Sequence, residues 1–245
     1  MSVELLENER LDDLHRKGYQ IIQNPKMFCF GMDAVLLTAF AKVGQEDKVL
    51  DMGSGNGVIP LLIQARYEPQ SVTGLEIQEA NVDMSRRSIQ LNQVDDQVKI
   101  IHGDIKEAES LLPLSSFDVV TCNPPYMDAG KGLRNAHDAK YIARHEVLCT
   151  LEDVVRSASK LTAVGGKFCM VHRPHRLVDI ITLLRAYKME PKRLRMVHSD
   201  VSSEANMVLI EAVRHGGPFL KVEEPLIIYR APNVYTDEVK GLYYD

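Results

Sequence analysis

Tryptophan is absent from the 245-residue chain, and Phe and Tyr together make up only 6% of it. No stretch approaches the roughly 18 apolar residues that a membrane-crossing helix needs, so no membrane span is expected. The N-terminal MSVELLENERLDDL is acidic and lacks an apolar run, which argues against a signal peptide. Cysteine is scarce: Cys29, Cys122, Cys149 and Cys169 form no C-x-x-C pair, and no histidine stands at zinc-ligand spacing from them. Reduced thiols, a cytoplasmic location and no bound metal are the expectation. Repeats, low-complexity tracts and long Gly/Ser linkers are missing too. A general excess of positive charge is also lacking, since the formal net charge is −5, and that excludes an indiscriminate polyanion binder.

What is present is an ordinary folding composition, 45% hydrophobic and 26% charged. The length suits one domain that needs neither metal nor disulfide to hold its core. Charge is unevenly spread. From Lys160 to Arg195 stand nine basic residues against Asp179 and Glu190, so 9 − 2 = +7. Such a segment can serve as a phosphate-facing patch.

Periodicity gives alternating elements in the middle of the chain. Strands are expected at 48–51, 71–76, 97–102, 117–122 and 167–172. Helices are expected at 57–67, 79–92, 151–161 and from Pro174 to about Tyr187. Gly165-Gly166 reads as the turn into the fifth strand. Two further strands, 193–198 and 207–214, have no helix between them and should form an antiparallel hairpin. The expected fold is therefore α/β: a mostly parallel central sheet with helices on both faces and a closing antiparallel strand pair. Residues 45–215 would form the main domain. Residues 1–44 would be an N-terminal extension reaching the site, and 216–245 a tail packing on the domain.

Ligands of such sheets bind at the carboxyl ends of the strands. The first strand ends in Asp51-Met52-Gly53-Ser54-Gly55-Asn56-Gly57, and the second ends in Glu76. Position 58 is Val, so the dinucleotide fingerprint fails on spacing, and no G-K-[ST] follows to make a P-loop. A leading Asp beside a pyrophosphate would repel it, whereas the cationic S-adenosylmethionine suits it. Glu76 can accept from ribose hydroxyls. At the third strand end, Asp104 can accept from an adenine amino group and Ile105 can pack on the ring. Alone, Asp104 reads as an N-cap.

The fourth strand ends in Asn123-Pro124-Pro125-Tyr126. Consecutive prolines stiffen the turn and donate no N–H, which leaves the Pro124 carbonyl to a ligand. With the Asn123 side-chain oxygen this makes two acceptors, matching the two N–H donors of a planar amine. Tyr126 offers a stacking face.

These motifs together resemble the class I methyltransferase series. More closely, the chain resembles the bacterial tRNA(Val) adenine-N6 methyltransferase family, within the small-domain methyltransferases. Gln23 to Leu37, with Phe30-Gly31-Met32-Asp33-Ala34, and Ala143-Arg144-His145-Glu146 are similar to that family's flanking segments. The resemblance implies a Rossmann-like fold and S-adenosylmethionine as cofactor, held by Asp51, Gly53, Gly55, Gly57, Glu76, Asp104 and Ile105. It places Phe30, Gly31 and Asp33 near the methionine moiety. It implies N6-methylation of the adenine at position 37 of a tRNA, with Asn123 to Tyr126 as the catalytic tetrapeptide. Arg173 and Arg176, just past the fifth strand, are expected to meet the RNA. A protein glutamine-N5 methyltransferase and a guanine-N2 ribosomal RNA methyltransferase are the alternatives. The short segment ahead of Lys48 weighs against the first, whose members usually carry a separate N-terminal helical domain. A DNA enzyme would carry a larger target-reading insertion. A non-catalytic RNA-binding module would not need both motif sets.

Overall fold

A computed structural model describes residues 3–27, 29–124 and 149–244. Its strands and helices run β1 (Arg10–Asp13), β2 (Gln20–Gln23), α1 (Met32–Ala41), β3 (Lys48–Met52), α2 (Val58–Tyr67), β4 (Ser71–Glu76), α3 (Glu79–Leu91) and β5 (Val98–His102). After α4 (Ala108–Leu111) and β6 (Phe117–Cys122) come α5 (Leu151–Leu161), β7 (Thr162–His172), α6 (Leu177–Ala186), β8 (Met189–His198) and β9 (Ala205–Arg214). The tail adds β10 (Lys221–Val222), β11 (Leu226–Ile227), β12 (Tyr229–Ala231), β13 (Val234–Tyr235) and α7 (Asp237–Tyr243).

The central sheet has the order β10-β8-β9-β7-β6-β3-β4-β5, with β11 also on β8. Strands β5, β4, β3, β6 and β7 are mutually parallel. The expected hairpin of β8 and β9 is present, but β9 inserts between β7 and β8 and is antiparallel to both. Among the described strands of this sheet, only β9 therefore runs against the rest. Residue alternation splits the apolar side chains between two faces. Val49, Val119, Cys169 and Val171 pack with α1, α2 and α3 residues. Leu50, Met52, Val120, Phe168 and Met170 pack with α5 and α6 residues on the other face. Burial on both faces is what a parallel sheet requires.

Strand β7 starts at Thr162, earlier than its apolar run suggests. Thr162 pairs with Phe117, but Val119 already pairs with Lys167, so the β7 segment between them bulges. Gly165, at φ +80°, takes the left-handed bend inside that bulge.

Two features escaped the periodicity. The β1–β2 hairpin lies beside α3, and side chains close its open edge. Asn92 exchanges hydrogen bonds with Gln20 N–H and C=O, at 2.9 and 2.7 Å. Ser88, one turn earlier, accepts from Ile22 N–H at 3.0 Å. A strand edge satisfied in this way has no tendency to pair elsewhere. The tail is the other feature. Its β10 and β11 extend the sheet edge, and the rings of Tyr229, Tyr235 and Tyr243 stack in sequence at centroid distances of 5.2 and 5.7 Å.

The tail also uses charges from the +7 segment. Arg193 is buried. It lies over the Phe40 ring, donates to the Phe40 carbonyl and pairs with Glu211 at 2.8 Å and Glu223 at 3.4 Å. Arg195 pairs with Glu238 at 2.7 Å, and Lys192 Nζ donates to the carbonyls of Gly217 and Pro218. Arg185 pairs with Glu190 at 3.2 Å. Arg193 and Arg195 of this segment are thus engaged by acidic partners, so the +7 count overstates the charge excess that the folded segment carries. Counting charge along the chain misses acidic partners that the fold brings in from far away. Among the described residues, no helix is long and apolar enough to cross a membrane.

Candidate active site

The carboxyl ends of β5, β4, β3 and β6 lie side by side, because Met52 registers with Leu75 and Cys122, and Glu76 with His102. The turn after β3 folds over the end of β4, where Gly53 and Ser54 N–H both donate to the Leu75 carbonyl. Gly53, Gly55 and Gly57 all have positive φ, at +73°, +55° and +85°. An L side chain at any of them would strain the turn. A Cβ at Gly57 would also come within 3.0 Å of Ser85, so α2 and α3 meet here on glycine.

Glu76 fixes the turn from the neighbouring strand. One carboxylate oxygen accepts Gly55 N–H at 2.8 Å, and the other accepts Gln78 N–H at 2.8 Å. Ser85 Oγ donates to the Gly55 carbonyl at 3.0 Å, so the Gly55 residue is held on both sides. Burial pushes the Glu76 carboxyl up from its ordinary range, and the two backbone donors oppose that shift. Ser85 was not foreseen. Its signal was its place four residues after Asn81, whose carbonyl it also meets.

Asp51 is fully buried. Its Oδ1 accepts from Thr121 Oγ1 at 2.6 Å, and its Oδ2 is buried without a hydrogen-bond partner among the described residues. Burial first, and then the negative charge of Glu76, raise its pKa from the ordinary 3.8 to about 8, against the Thr121 bond. Thr121 was also unforeseen. It is the register partner of Asp51 on β6, which pairing alone reveals.

Asp104 begins a single 3-10 turn, and its side chain accepts from Lys106 N–H at 2.9 Å, so the N-cap reading holds for it. Ile105 reaches the glycine turn, where a Cβ on Gly53 would lie 3.8 Å from Ile105 Cδ1. Its carbonyl accepts from Ser157 of α5 at 2.8 Å.

From the N-terminal side, Gly31 caps α1 and Asp33 lies in that helix's first turn. Asp33 Oδ2 accepts from Asn123 Nδ2 at 3.0 Å, across 90 residues of chain. Phe30 N–H donates to Gln23 Oε1 at 3.1 Å, and its ring packs on the core. The structure thus joins the Phe30–Asp33 segment to the end of β6. Pro124 follows Asn123, while Pro125, Tyr126 and the segment Ala143 to Glu146 lie outside the described residues. Arg173 and Arg176 stand past the end of β7. Arg173 Nη1 donates to the Asn206 carbonyl at 2.9 Å, and Arg176 pairs with Asp179 at 3.0 Å.

These residues fit the sulfonium nucleoside expected from the sequence. A buried carboxylate oxygen without a partner suits a cationic ligand, and a glycine turn without side chains lets it approach the backbone. Without a cation, the Asp51 charge costs stability. The folded state keeps the proton up to about pH 8, whereas the unfolded chain loses it near 3.8. The folded state therefore binds more protons between those values, and stability falls as pH rises through the window. Asp51→Asn should flatten the decline in the apo protein's Tm between about pH 5 and pH 9 and exceed wild type at the alkaline end. Thermal scans across that range check it, and identical pH profiles would show that Asp51 carries no buried, unpaired charge.

Comparisons with known proteins bear on the fold and the family. A relative from Porphyromonas gingivalis, named as a tRNA1(Val) (adenine(37)-N6)-methyltransferase, is 28% identical over 233 residues, 91% of this chain and 89% of its own. A relative of the same name from Pedobacter heparinus is 25% identical, over 94% of this chain and 95% of its own. Among solved structures, a predicted O-methyltransferase from Agrobacterium tumefaciens superposes with a TM-score of 0.69 at 23% identity, covering 86% of this chain and 95% of that one. The geranyl diphosphate C-methyltransferase of Streptomyces coelicolor, solved with S-adenosyl-L-homocysteine, gives 0.54 at 14% identity, over 74% of this chain and 76% of its own. Both support the Rossmann-like fold. The family model for the methyltransferase small domain matches residues 18–189, well over half of the sequence, and the chain belongs to that family.

Proposed function

We propose that this protein transfers a methyl group from S-adenosylmethionine to N6 of an adenine in tRNA, at position 37 beside the anticodon. The observation that carries the reading is the placement of Asn123, tied to Asp33 at 3.0 Å, next to the strand ends that bear Asp51 and Glu76. A planar-nitrogen acceptor site thus adjoins a nucleoside site. The names of the Porphyromonas and Pedobacter relatives, which align over nearly the whole chain, supply the substrate.

When bound, the cofactor supplies an electrophilic methyl on a sulfonium. The protein's own residues solve the other half of the problem. The lone pair of an aryl amine is delocalised into its ring and attacks poorly. The Asn123 side-chain oxygen and the Pro124 carbonyl accept the two N–H groups, which favours a tetrahedral nitrogen with its lone pair directed at the methyl. Positive charge developing on nitrogen is stabilised where it appears. As the N–C bond forms, the S–C bond would break and S-adenosylhomocysteine would leave; no base is needed before attack, since the amine becomes acidic only afterwards and then loses its proton to water. Holding nitrogen and methyl in line is worth on the order of 7–11 kcal/mol.

Glu76 takes the ribose, Asp104 and Ile105 the adenine of the cofactor, and Asp51 with Gly53, Gly55 and Gly57 its methionine side. Phe30, Gly31 and Asp33 border that side too. Tyr126 stacks on the extruded base, and Arg173 and Arg176 meet flanking phosphates. The base must leave its stack, which costs least in an unpaired loop. Residues 45–215 form the catalytic domain, residues 1–44 complete its site, and 216–245 brace it. The enzyme acts in the cytoplasm, where tRNA is. Nucleoside mass spectrometry of tRNA from a strain lacking the gene tests this reading. Loss of N6-methyladenosine from one tRNA is the expected result, and an unchanged nucleoside profile overturns it.

A further inference from the structure

Asn123 must show its oxygen, not its nitrogen, to a substrate amine. An amide side chain is nearly symmetric in shape, so packing alone chooses poorly between the two orientations. Among the described residues, one contact chooses. Asp33 Oδ2 lies 3.0 Å from Asn123 Nδ2. An ionised carboxylate can only accept, so the flipped amide would set oxygen against oxygen. The Asp33 carboxylate is itself fixed, because its Oδ1 accepts Ala34 N–H at 3.0 Å in the first turn of α1. Gly31 leaves room for it, since a Cβ there would lie 2.9 Å from Asp33 Oδ1.

We propose that Asp33 is a positioning residue, which holds the Asn123 amide with its oxygen toward the substrate nitrogen and does not bind the cofactor. This rests on the reading of Asn123 as an acceptor for a planar amine. It gives the N-terminal segment a catalytic purpose: α1 delivers a carboxylate that orients a side chain 90 residues away. It also suits the glycine before the helix, because a side chain there would force the carboxylate to shift.

Three variants and one spectrum test the proposal. Asp33→Ala should lower kcat on a tRNA transcript roughly 10- to 100-fold, the worth of one charge-assisted hydrogen bond. The Kd for S-adenosylmethionine should stay within about twofold. Asp33→Asn can turn its own oxygen to Asn123 and should restore kcat to within about threefold of wild type. Gly31→Ala keeps the charge but displaces it, and should lie between the two. A purely structural role for Asp33 would not show rescue by Asn together with unchanged cofactor affinity. The Asn123 side-chain amide, assigned by its disappearance in Asn123→Ala, should show a hydrogen-bonded proton by NMR in the wild type that is lost in Asp33→Ala. That spectrum needs no acceptor, so it reports the contact even if the substrate assignment fails. A wild type that methylates a glutamine peptide in place of tRNA would sink the RNA reading. The Asp33 comparison would then be made on that peptide, whose amide also offers a planar –NH2. The proposal is overturned if all three variants lose cofactor affinity in proportion to activity, if Asp33→Asn is as slow as Asp33→Ala, or if the Asn123 amide signal is indifferent to Asp33.

Discussion

Replacing Asn123 with Ala should lower kcat by roughly two to three orders of magnitude, the usual loss when one preorganised group facing transition-state charge is removed. Cofactor affinity should scarcely change. Asn123 follows β6 and bonds to Asp33, whereas the carboxylates assigned to the cofactor lie at the carboxyl ends of β3 and β4. The side chain is absent in the variant, so the amine loses one of its two acceptors and keeps only the Pro124 carbonyl. Steady-state rates on tRNA, with calorimetry for S-adenosylmethionine, separate the two effects. Near-wild-type kcat would remove Asn123 from the chemistry. Lost cofactor binding with a lowered Tm would point instead to a role in folding.

Glu76→Ala should have the opposite signature. The carboxylate holds Gly55 N–H and Gln78 N–H at 2.8 Å each and is assigned the ribose hydroxyls. Charge-assisted bonds are worth about 1.5–3 kcal/mol apiece. Losing one to the ligand corresponds to a Kd about 10- to 150-fold weaker. The loosened glycine turn adds to that. Glu76→Gln keeps the shape and one acceptor, but its amide nitrogen must face a backbone N–H or a ribose hydroxyl. It should bind better than Ala and worse than Glu. Unchanged affinity by calorimetry would show that the cofactor lies elsewhere.

The strands that carry the candidate site are plainer in the sequence than the rest of the scaffold. Asp51, the three glycines and Glu76 are legible because each motif is local and ends a strand whose apolar run is plain. The four strands flanking the glycine turn fall where the periodicity puts them. Pairing order is not local, so the insertion of β9 between β7 and β8 was out of reach. The β1–β2 hairpin was missed because each strand is four residues long, and its edge is satisfied by Ser88 and Asn92 from a helix. The charge of the basic segment is overstated in the sequence for the same reason. Arg193 and Arg195 find Glu211, Glu223 and Glu238, none of them near in sequence. The Asp33–Asn123 contact is likewise a product of the fold.

The central claim is that the methyl group goes to adenine N6 of a tRNA. Incubating the purified protein with S-adenosylmethionine carrying a deuterated methyl and with tRNA transcripts, then analysing nucleosides by mass spectrometry, tests it most directly. Labelled N6-methyladenosine should appear in one tRNA transcript and vanish when its A37 is replaced by G. Label in a guanosine, in a protein glutamine, or in no nucleoside at all would contradict the account.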